Sequence, residues 1–242
     1  MTLDDNDPMF ADAVLNLGVP AAMAGNYGVG LDEIDSEDVT LVTFVLDMSS
    51  SMAPFSSEVI SAFNTEVQAL RRAKSATSFL LSTTTFADQP ALLHGYLRIE
   101  QVPPLDQRSY QPSGSTALYD AVLGVFGRMA TYRQTLRDNG VRSRGIVIVL
   151  SDGGDNQSTH AAQTVKQASE RLLREEGTTL AYVGFGSSGS GAALKRIADE
   201  IGFPQVLIAK LSAGEIRKAL GQVSQSIVQT AKAGVSASRS FF

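Results

Sequence analysis

Residues 39–52 read Val39-Thr-Leu-Val-Thr-Phe-Val-Leu-Asp-Met-Ser-Ser-Ser-Met52. Eight β-branched, aliphatic and aromatic residues run without interruption into Asp47, Ser49 and Ser51. An apolar run of this kind, closed by a polar cluster, predicts a central strand buried on both faces and ending in a functional loop. The spacing Asp-x-Ser-x-Ser puts three oxygen-bearing side chains on one tight turn, all able to face one point. Carboxylate and hydroxyl oxygens are what a hard divalent cation such as Mg2+ prefers. Ser and Asp also populate ordinary turns and caps, so the triplet alone is a weak signal. Two later segments decide the matter.

Downstream of this strand, Pro54 permits a helix start, and Phe55, Val59, Phe63, Val67 and Leu70 recur at helical spacing to about Lys74. Residues 77–86 are β-branched and aromatic and predict a second strand. After the turn signal Ala87-Asp88-Gln89-Pro90, residues 91–102 read as a third strand returning beside it, ended by Pro103-Pro104. A polar loop over 105–116 closes with Gly114-Ser115-Thr116, and a helix begins at Ala117, with Leu118, Val122, Val125, Met129, Tyr132 and Leu136 on one face. Asn139-Gly140 stops it. Residues 144–150 form a buried strand that runs into Ser151-Asp152-Gly153-Gly154-Asp155-Asn156. A helix over 161–175, a strand over 178–183, a helix over 191–201, a strand over 205–209 and a helix over 213–232 follow. The last carries Ile216, Leu220, Val223 and Ile227 as its apolar stripe.

Strands alternating with helices predict an α/β fold: a Rossmann-like open, mostly parallel six-stranded sheet with one antiparallel edge strand and helices on both faces. Ligands of such sheets bind beyond the carboxyl ends of the strands, where strand order reverses. Asp47, Thr116 and Asp152 all fall in or beside loops on that edge.

The 242 residues divide into an acidic arm (1–37), the α/β domain (38–232) and a tail (233–242). A hydrophobic content of 43% suffices for a core, and 19% charged residues is not the profile of a disordered chain. The absence of cysteine excludes disulfides, thiolate metal sites and cysteine nucleophiles. No apolar run approaches the roughly 18–20 residues of a membrane span, and no basic-then-apolar leader is present, so cytoplasmic location is the expectation. The net charge of −5 hides an asymmetry: residues 1–38 hold nine acids and no Lys or Arg, whereas the rest holds 16 acids against 20 bases. An acidic leader before a mildly basic body argues against nucleic acid as the leader's partner. The arm reads either as a solvated tether, with a short helix over residues 10–17, or as a clasp on its own domain or on a neighbouring subunit. The tail from Ser236 to Phe242 has no periodicity and is expected to be loose.

Taken together, Asp47-Met-Ser49-Ser-Ser51, Gly114-Ser-Thr116-Ala-Leu-Tyr-Asp120 and Ser151-Asp152-Gly153 resemble the metal-ion-dependent adhesion site (MIDAS) of von Willebrand factor type A domains. The resemblance spans about residues 38–232. Ser50 stands where many relatives have Gly, at a position that is not a ligand. The resemblance implies a metal site of Asp47, Ser49, Ser51, Thr116 and Asp152. Ser49 and Ser51 would bind directly, Thr116 directly or through water, and Asp47 and Asp152 mainly through water. It implies Mg2+, with Mn2+ or Ca2+ as alternatives, and a protein partner that donates an Asp or Glu to the metal. It also suggests a last helix that slides along the sheet between affinity states. By analogy with stand-alone bacterial domains, the chain would be a non-enzymatic adaptor in stress, defence or AAA+ ATPase-associated systems.

Two rivals stand beside that reading. A Mg2+-dependent phosphatase or hydrolase would use Asp47 as nucleophile, but it needs a general acid or base within reach, and the three loops offer only His160. A self-assembling homo-oligomer would use an acid of the arm to complete a neighbour's metal site. Among lesser features, Gly184-Phe-Gly186-Ser-Ser-Gly189 matches G-x-G-x-x-G literally but sits late in the fold and is explained by a tight turn. Asp155-Asn156 could hold water near the metal or cap the following helix. His94 and His160 read as surface or capping residues, and Arg71, Arg72 and Lys74 suit the negative end of a helix.

Overall fold

The apolar run becomes strand β1 (Asp38–Asp47), of whose ten residues nine are buried. Its side chains alternate between two apolar layers, Val39, Leu41 and Val45 entering one and Val42, Phe44 and Leu46 the other. In chain order follow α1 (Ser56–Arg71), β2 (Phe79–Phe86), β3 (Pro90–Arg98), α2 (Leu118–Asp138), β4 (Arg142–Ser151), α3 (Ala162–Leu172), β5 (Thr178–Gly186), α4 (Gly191–Glu200), β6 (Gln205–Lys210) and α5 (Ala213–Lys232). This computed structural model describes residues 28–34, 36–187, 189–210, 212–232 and 241–242. The helix expected over residues 10–17 lies outside them. Among the described residues no helix is long and apolar enough to cross a membrane.

The six strands lie in the order β3-β2-β1-β4-β5-β6. Every pair is parallel except β2–β3, so the antiparallel strand is at the edge, as expected. Helices α2, α3 and α4 cover one face through residues such as Phe126, Val165 and Leu194. On the other face, α1 and α5 pack through Val59, Phe63, Ile216 and Val223. Burying one such side chain stabilises by about 1.5–3 kcal/mol, so these stripes, more than helix propensity, hold the helices in place. Chain direction from β1 out to β2 and β3, then back across to β4, puts the reversal of strand order between β1 and β4.

Three local expectations need correction. Strand β3 stops at Arg98 rather than running to residue 102. The guanidinium of Arg71 donates to the carbonyls of Ile99, Glu100 and Val102, which curls this stretch into a turn before the prolines are reached. Arg71 therefore does more than sit favourably at a helix end. Ahead of α1, residues Ser50–Phe55 form a 3-10 turn that contains Pro54, and the regular helix begins only at Ser56. At the other end of the chain, Phe241 is not loose. It is buried in the layer of α1 and α5, stacks edge-on with Phe242, and its N–H donates to the Gln205 side chain at 3.1 Å.

The arm closes on its own domain where it is described. Gly28 bridges Tyr96 of the edge strand in parallel sense, Val29 N–H donates to Tyr96 O at 2.8 Å, and Tyr132 of α2 donates to Val29 O at 2.9 Å. The tether reading fails for residues 28–34, and the clasp reading holds there. At the end of α5, Arg144 of β4 donates to the Thr230 and Ala231 carbonyls, supplying the partners that a helix terminus lacks.

Candidate metal centre

Asp47 is the last residue of β1 and Ser151 the last of the neighbouring β4, so both side chains emerge at the reversal of strand order. Asp47 is almost fully buried, at 1% exposure. Its Oδ1 accepts from Ser49 N–H at 2.8 Å and its Oδ2 from Ser151 Oγ at 2.5 Å. The first contact folds the turn that brings Ser49 and Ser51 to the same side, with their Oγ atoms 3.0 Å apart. Ser51 Oγ in turn donates to Asp152 Oδ1 at 2.9 Å. Asp47, Ser49, Ser51 and Asp152 thus form one hydrogen-bonded set across two loops.

Burial pushes the Asp47 carboxyl above the usual aspartate range. The hydrogen bonds from Ser151 and Ser49 oppose this, and the charge of Asp152 adds to it. Asp152 is likewise raised, by burial first. Among the described residues, no Lys, Arg or His is ion-paired with either carboxylate. No group of three or more His, Cys, Asp or Glu gathers as a metal cage among these residues, so any ion here would rest on hydroxyls as much as on carboxylates.

Thr116 is placed beside this set rather than within it. Its N–H donates to Asn156 Oδ1 at 2.8 Å and its carbonyl accepts from Asn156 N–H at 3.0 Å. No hydrogen bond joins the Thr116 hydroxyl to the four residues above. The loop that carries it is pinned from below. Gly114 has φ +74°, and a Cβ there would fall 2.6 Å from the Asp88 carboxylate, which accepts from Ser115 N–H at 2.7 Å. Ser50 closes the gap on the other side, its Oγ donating to Gly114 O at 2.9 Å. The departure from Gly at position 50 is therefore a tie between the first two loops.

The third loop is braced against α2. Asp155 accepts from Tyr119 N–H at 3.0 Å and from the Ser158 hydroxyl, and Ser158 Oγ accepts from Asp120 N–H at 3.0 Å. Asp155 and Asn156 therefore cap the start of the preceding helix and the Thr116 loop, and not the following helix. Asp120 accepts from the backbone and side chains of Thr159 and His160, with His160 Nδ1 at 2.7 Å. Partial burial pushes Asp120 up, but these hydrogen bonds outweigh it and hold the carboxyl below its usual range. His94 sits on the edge strand β3, and burial lowers its imidazole.

Several residues of this assembly had no signal in the spacing. Ser151 reads only as the first residue of the third loop, Asp88 and Ser50 as turn residues, and Tyr110, whose hydroxyl donates to Asp47 O at 2.5 Å, as part of a polar loop. The only available hint was density of Ser, Asp and Gly in all three loops. The turn reading of the glycines at 184–189 holds, since a Cβ on Gly186 would fall 1.9 Å from Ser190 Oγ.

Comparison with known proteins agrees with the architecture. A family profile for the von Willebrand factor type A domain matches residues 42–222. No curated protein sequence matches the chain. Among solved structures, the pilus adhesin SpaC of Lactobacillus rhamnosus GG, in an open conformation, superposes with TM-score 0.61 and 11% identity over 81% of this chain and 30% of that one. Proximal thread matrix protein 1 of the mussel byssus superposes with TM-score 0.52 and 17% identity, over 82% of this chain and 47% of that one. The same mussel protein solved with a zinc-occupied MIDAS motif gives TM-score 0.50 and 19% identity, over 82% and 47%. The chain thus spans less than half the length of these solved proteins, and at such identities the likeness is one of fold. With the profile covering most of the chain and the six-stranded sheet in place, the protein belongs to the von Willebrand factor type A domain family.

Proposed function

We propose that this domain is a non-enzymatic interaction module that holds a divalent cation, Mg2+ foremost, between the ends of β1 and β4 and binds a partner protein through a carboxylate. Ser49, Ser51 and Thr116 would hold the ion through hydroxyl oxygens, while Asp47 and Asp152 orient those hydroxyls and its bound water. The observation that carries the reading is the 3.0 Å separation of Ser49 Oγ and Ser51 Oγ. Adjacent ligands of an Mg2+ octahedron, each about 2.0–2.1 Å from the ion, lie about 2.9–3.0 Å apart. Two neighbouring carboxylates without a cationic partner support it further, because buried negative charge is normally paired or bound to metal. When bound, the cation would supply an electrophilic anchor for an incoming Asp or Glu. A protein partner is also the general habit of the family.

The hydrolase rival is disfavoured by the same geometry. A nucleophilic Asp47 would need an accessible oxygen, yet both its oxygens accept hydrogen bonds and the residue is 1% exposed. His160 is held by Asp120 rather than by any group of the candidate site. Calorimetric titration with Mg2+ and Mn2+, on wild type and on Ser49→Ala/Ser51→Ala, tests the metal. A pull-down from native lysate in Mg2+ and in EDTA then tests the partner. Metal binding that survives the double substitution, or retained bands indifferent to EDTA, would overturn the proposal.

A further inference from the structure

The seam between the first two loops of the candidate site holds one side chain that the metal proposal leaves without a role. Met48 stands between Asp47 and Ser49, and residues 110–114 lie along this turn. Tyr110 Oη donates to Asp47 O at 2.5 Å, Ser113 N–H to Met48 O at 2.8 Å, and Ser50 N–H and Oγ both to Gly114 O, at 3.2 and 2.9 Å. Among these contacts sits a softer one, in which Gln111 N–H donates to Met48 Sδ at 3.2 Å. The same loop continues to Thr116, the third hydroxyl of the candidate site.

Met48 is also the methionine that an oxidant can reach. Of the three methionines among the described residues, Met52 and Met129 are buried at 1% and 0% exposure, whereas Met48 is half-buried. The chain has no cysteine, so methionine is its only sulfur. A thioether sulfur has two lone pairs. One on Met48 faces the Gln111 amide, which leaves the other for an electrophilic oxygen. That pair attacks the terminal oxygen of a hydroperoxide, the S–O bond forms as the O–O bond breaks, and the proton on the transferred oxygen passes to the departing alkoxide or hydroxide. Sulfur loses two electrons and becomes the sulfoxide, and the hydroperoxide is reduced to an alcohol or water.

Neither epimer of the product can keep the present contact. Either the partly positive sulfoxide sulfur faces the positive end of the Gln111 N–H, or the new oxygen takes the space that this amide occupies. Met48 also packs on the apolar layer of α1 and α5, where a polar sulfoxide is disfavoured. Side chain and loop must part at Gln111.

We propose that Met48 is a modification site: a hydroperoxide oxidises it selectively, the seam opens at Gln111, and the cation is held more weakly until the thioether is restored. This inference rests on the metal site proposed above.

The test uses the whole chain and hydrogen peroxide, first without metal. Peptide mass mapping over time should find Met48 oxidised about tenfold or more faster than Met52 and Met129, because reaction follows exposure. Hydrogen exchange at the Gln111 and Ser113 amides should quicken in the oxidised protein, while that at Val45 in β1 stays as it was. Calorimetry should then show Mn2+ bound about 10-fold more weakly after oxidation, the lower end of what loss of a supporting contact costs a metal site. Treatment with the two methionine sulfoxide reductases, one for each epimer, should restore the affinity. Met48→Leu separates this residue from Met1, Met9 and Met23, and its Mn2+ affinity should be the same before and after peroxide. Equal oxidation of Met48 and the two buried methionines, unchanged exchange at Ser113, or an equal loss of affinity in Met48→Leu would overturn the inference and leave the metal site standing. Failure of the reduced wild type to bind Mn2+ would overturn the metal site, and the coupling of Met48 to it.

Discussion

Ser151 Oγ lies 2.5 Å from Asp47 Oδ2 and donates to it, joining the ends of β1 and β4 where strand order reverses. The other Asp47 oxygen is held by Ser49 N–H at 2.8 Å. A buried carboxylate with both oxygens engaged cannot rotate, so the turn bearing Ser49 and Ser51 inherits its orientation. The hydroxyl of Ser151 also accepts from Gly153 N–H at 3.2 Å, which fixes the loop bearing Asp152. One serine that is not among the proposed ligands therefore aligns both halves of the candidate site.

Ser151→Ala should weaken Mn2+ binding by about 10–100-fold, the usual effect of removing a group that orients metal ligands. It should also lower stability by about 1–3 kcal/mol, because a buried carboxylate loses a donor. Calorimetry with Mn2+ and urea unfolding without metal read the two effects separately. Unchanged affinity with lowered stability would show Ser151 to be a packing residue only.

Arg71→Ala should destabilise the fold by about 2–3 kcal/mol, since three carbonyls of the turn after β3 share one charged donor. Arg71→Lys should recover little of this, because an ammonium cannot present the planar fork that reaches Ile99, Glu100 and Val102 together. Urea midpoints of the two variants decide it. A lysine variant as stable as wild type would mean that helix-end charge, and not the fork, is what matters.

The same residue marks the boundary of what the sequence made legible. Strand and helix identities followed from period and turn chemistry, and the site loops followed from oxygen-rich segments at the sheet edge. Arg71 read only as a favourable helix end, because its targets are 28–31 residues away and are backbone carbonyls. No side-chain pattern announces those. The linkage of Thr116 to Asn156, and of Ser50 to Gly114, was hidden for the same reason. Phe241 lacked any periodicity to show that its ring would be buried, since a single docked residue has no period.

Glu66 is a buried carboxyl on α1 facing Ser224 and Gly221 of α5, and burial pushes it above the usual glutamate range. The Ser224 hydroxyl nearby makes no hydrogen bond of standard geometry. A raised value in the fold means that Glu66 favours the native state most when protonated. Its contribution is fully present below the ordinary value of 4.5 and is lost as pH rises through the raised one. Glu66→Gln should therefore match wild type at about pH 4 and exceed it by about 1 kcal/mol at neutral pH. Urea unfolding of both proteins across this range measures the difference, in which the other carboxylates cancel. A difference independent of pH would rule out titration of Glu66 as its source.

Gly28 lies against the face of Tyr132, where an added Cβ would fall 2.6 Å from the ring's Cζ. That approach is what lets Tyr132 Oη reach Val29 O and lets Val29 N–H reach Tyr96 O. The Tyr132 ring cannot simply move aside, because it is stacked on Tyr96 with centroids 5.2 Å apart, and Tyr96 is itself fixed by Thr43 at 2.7 Å. Gly28→Ala should therefore lift the segment off the edge strand rather than displace the ring. Hydrogen exchange should show the Val29 amide losing its protection by tenfold or more, the equivalent of about 1.4 kcal/mol, while the amides of β1 keep theirs. Tyr132→Phe removes only the hydroxyl and should give a smaller loss at the same amide. Equal loss across β1 in either variant would mean that the clasp is part of the global unfolding unit. Loss confined to Val29 and its neighbours would establish a strap that opens separately from the sheet it lies on.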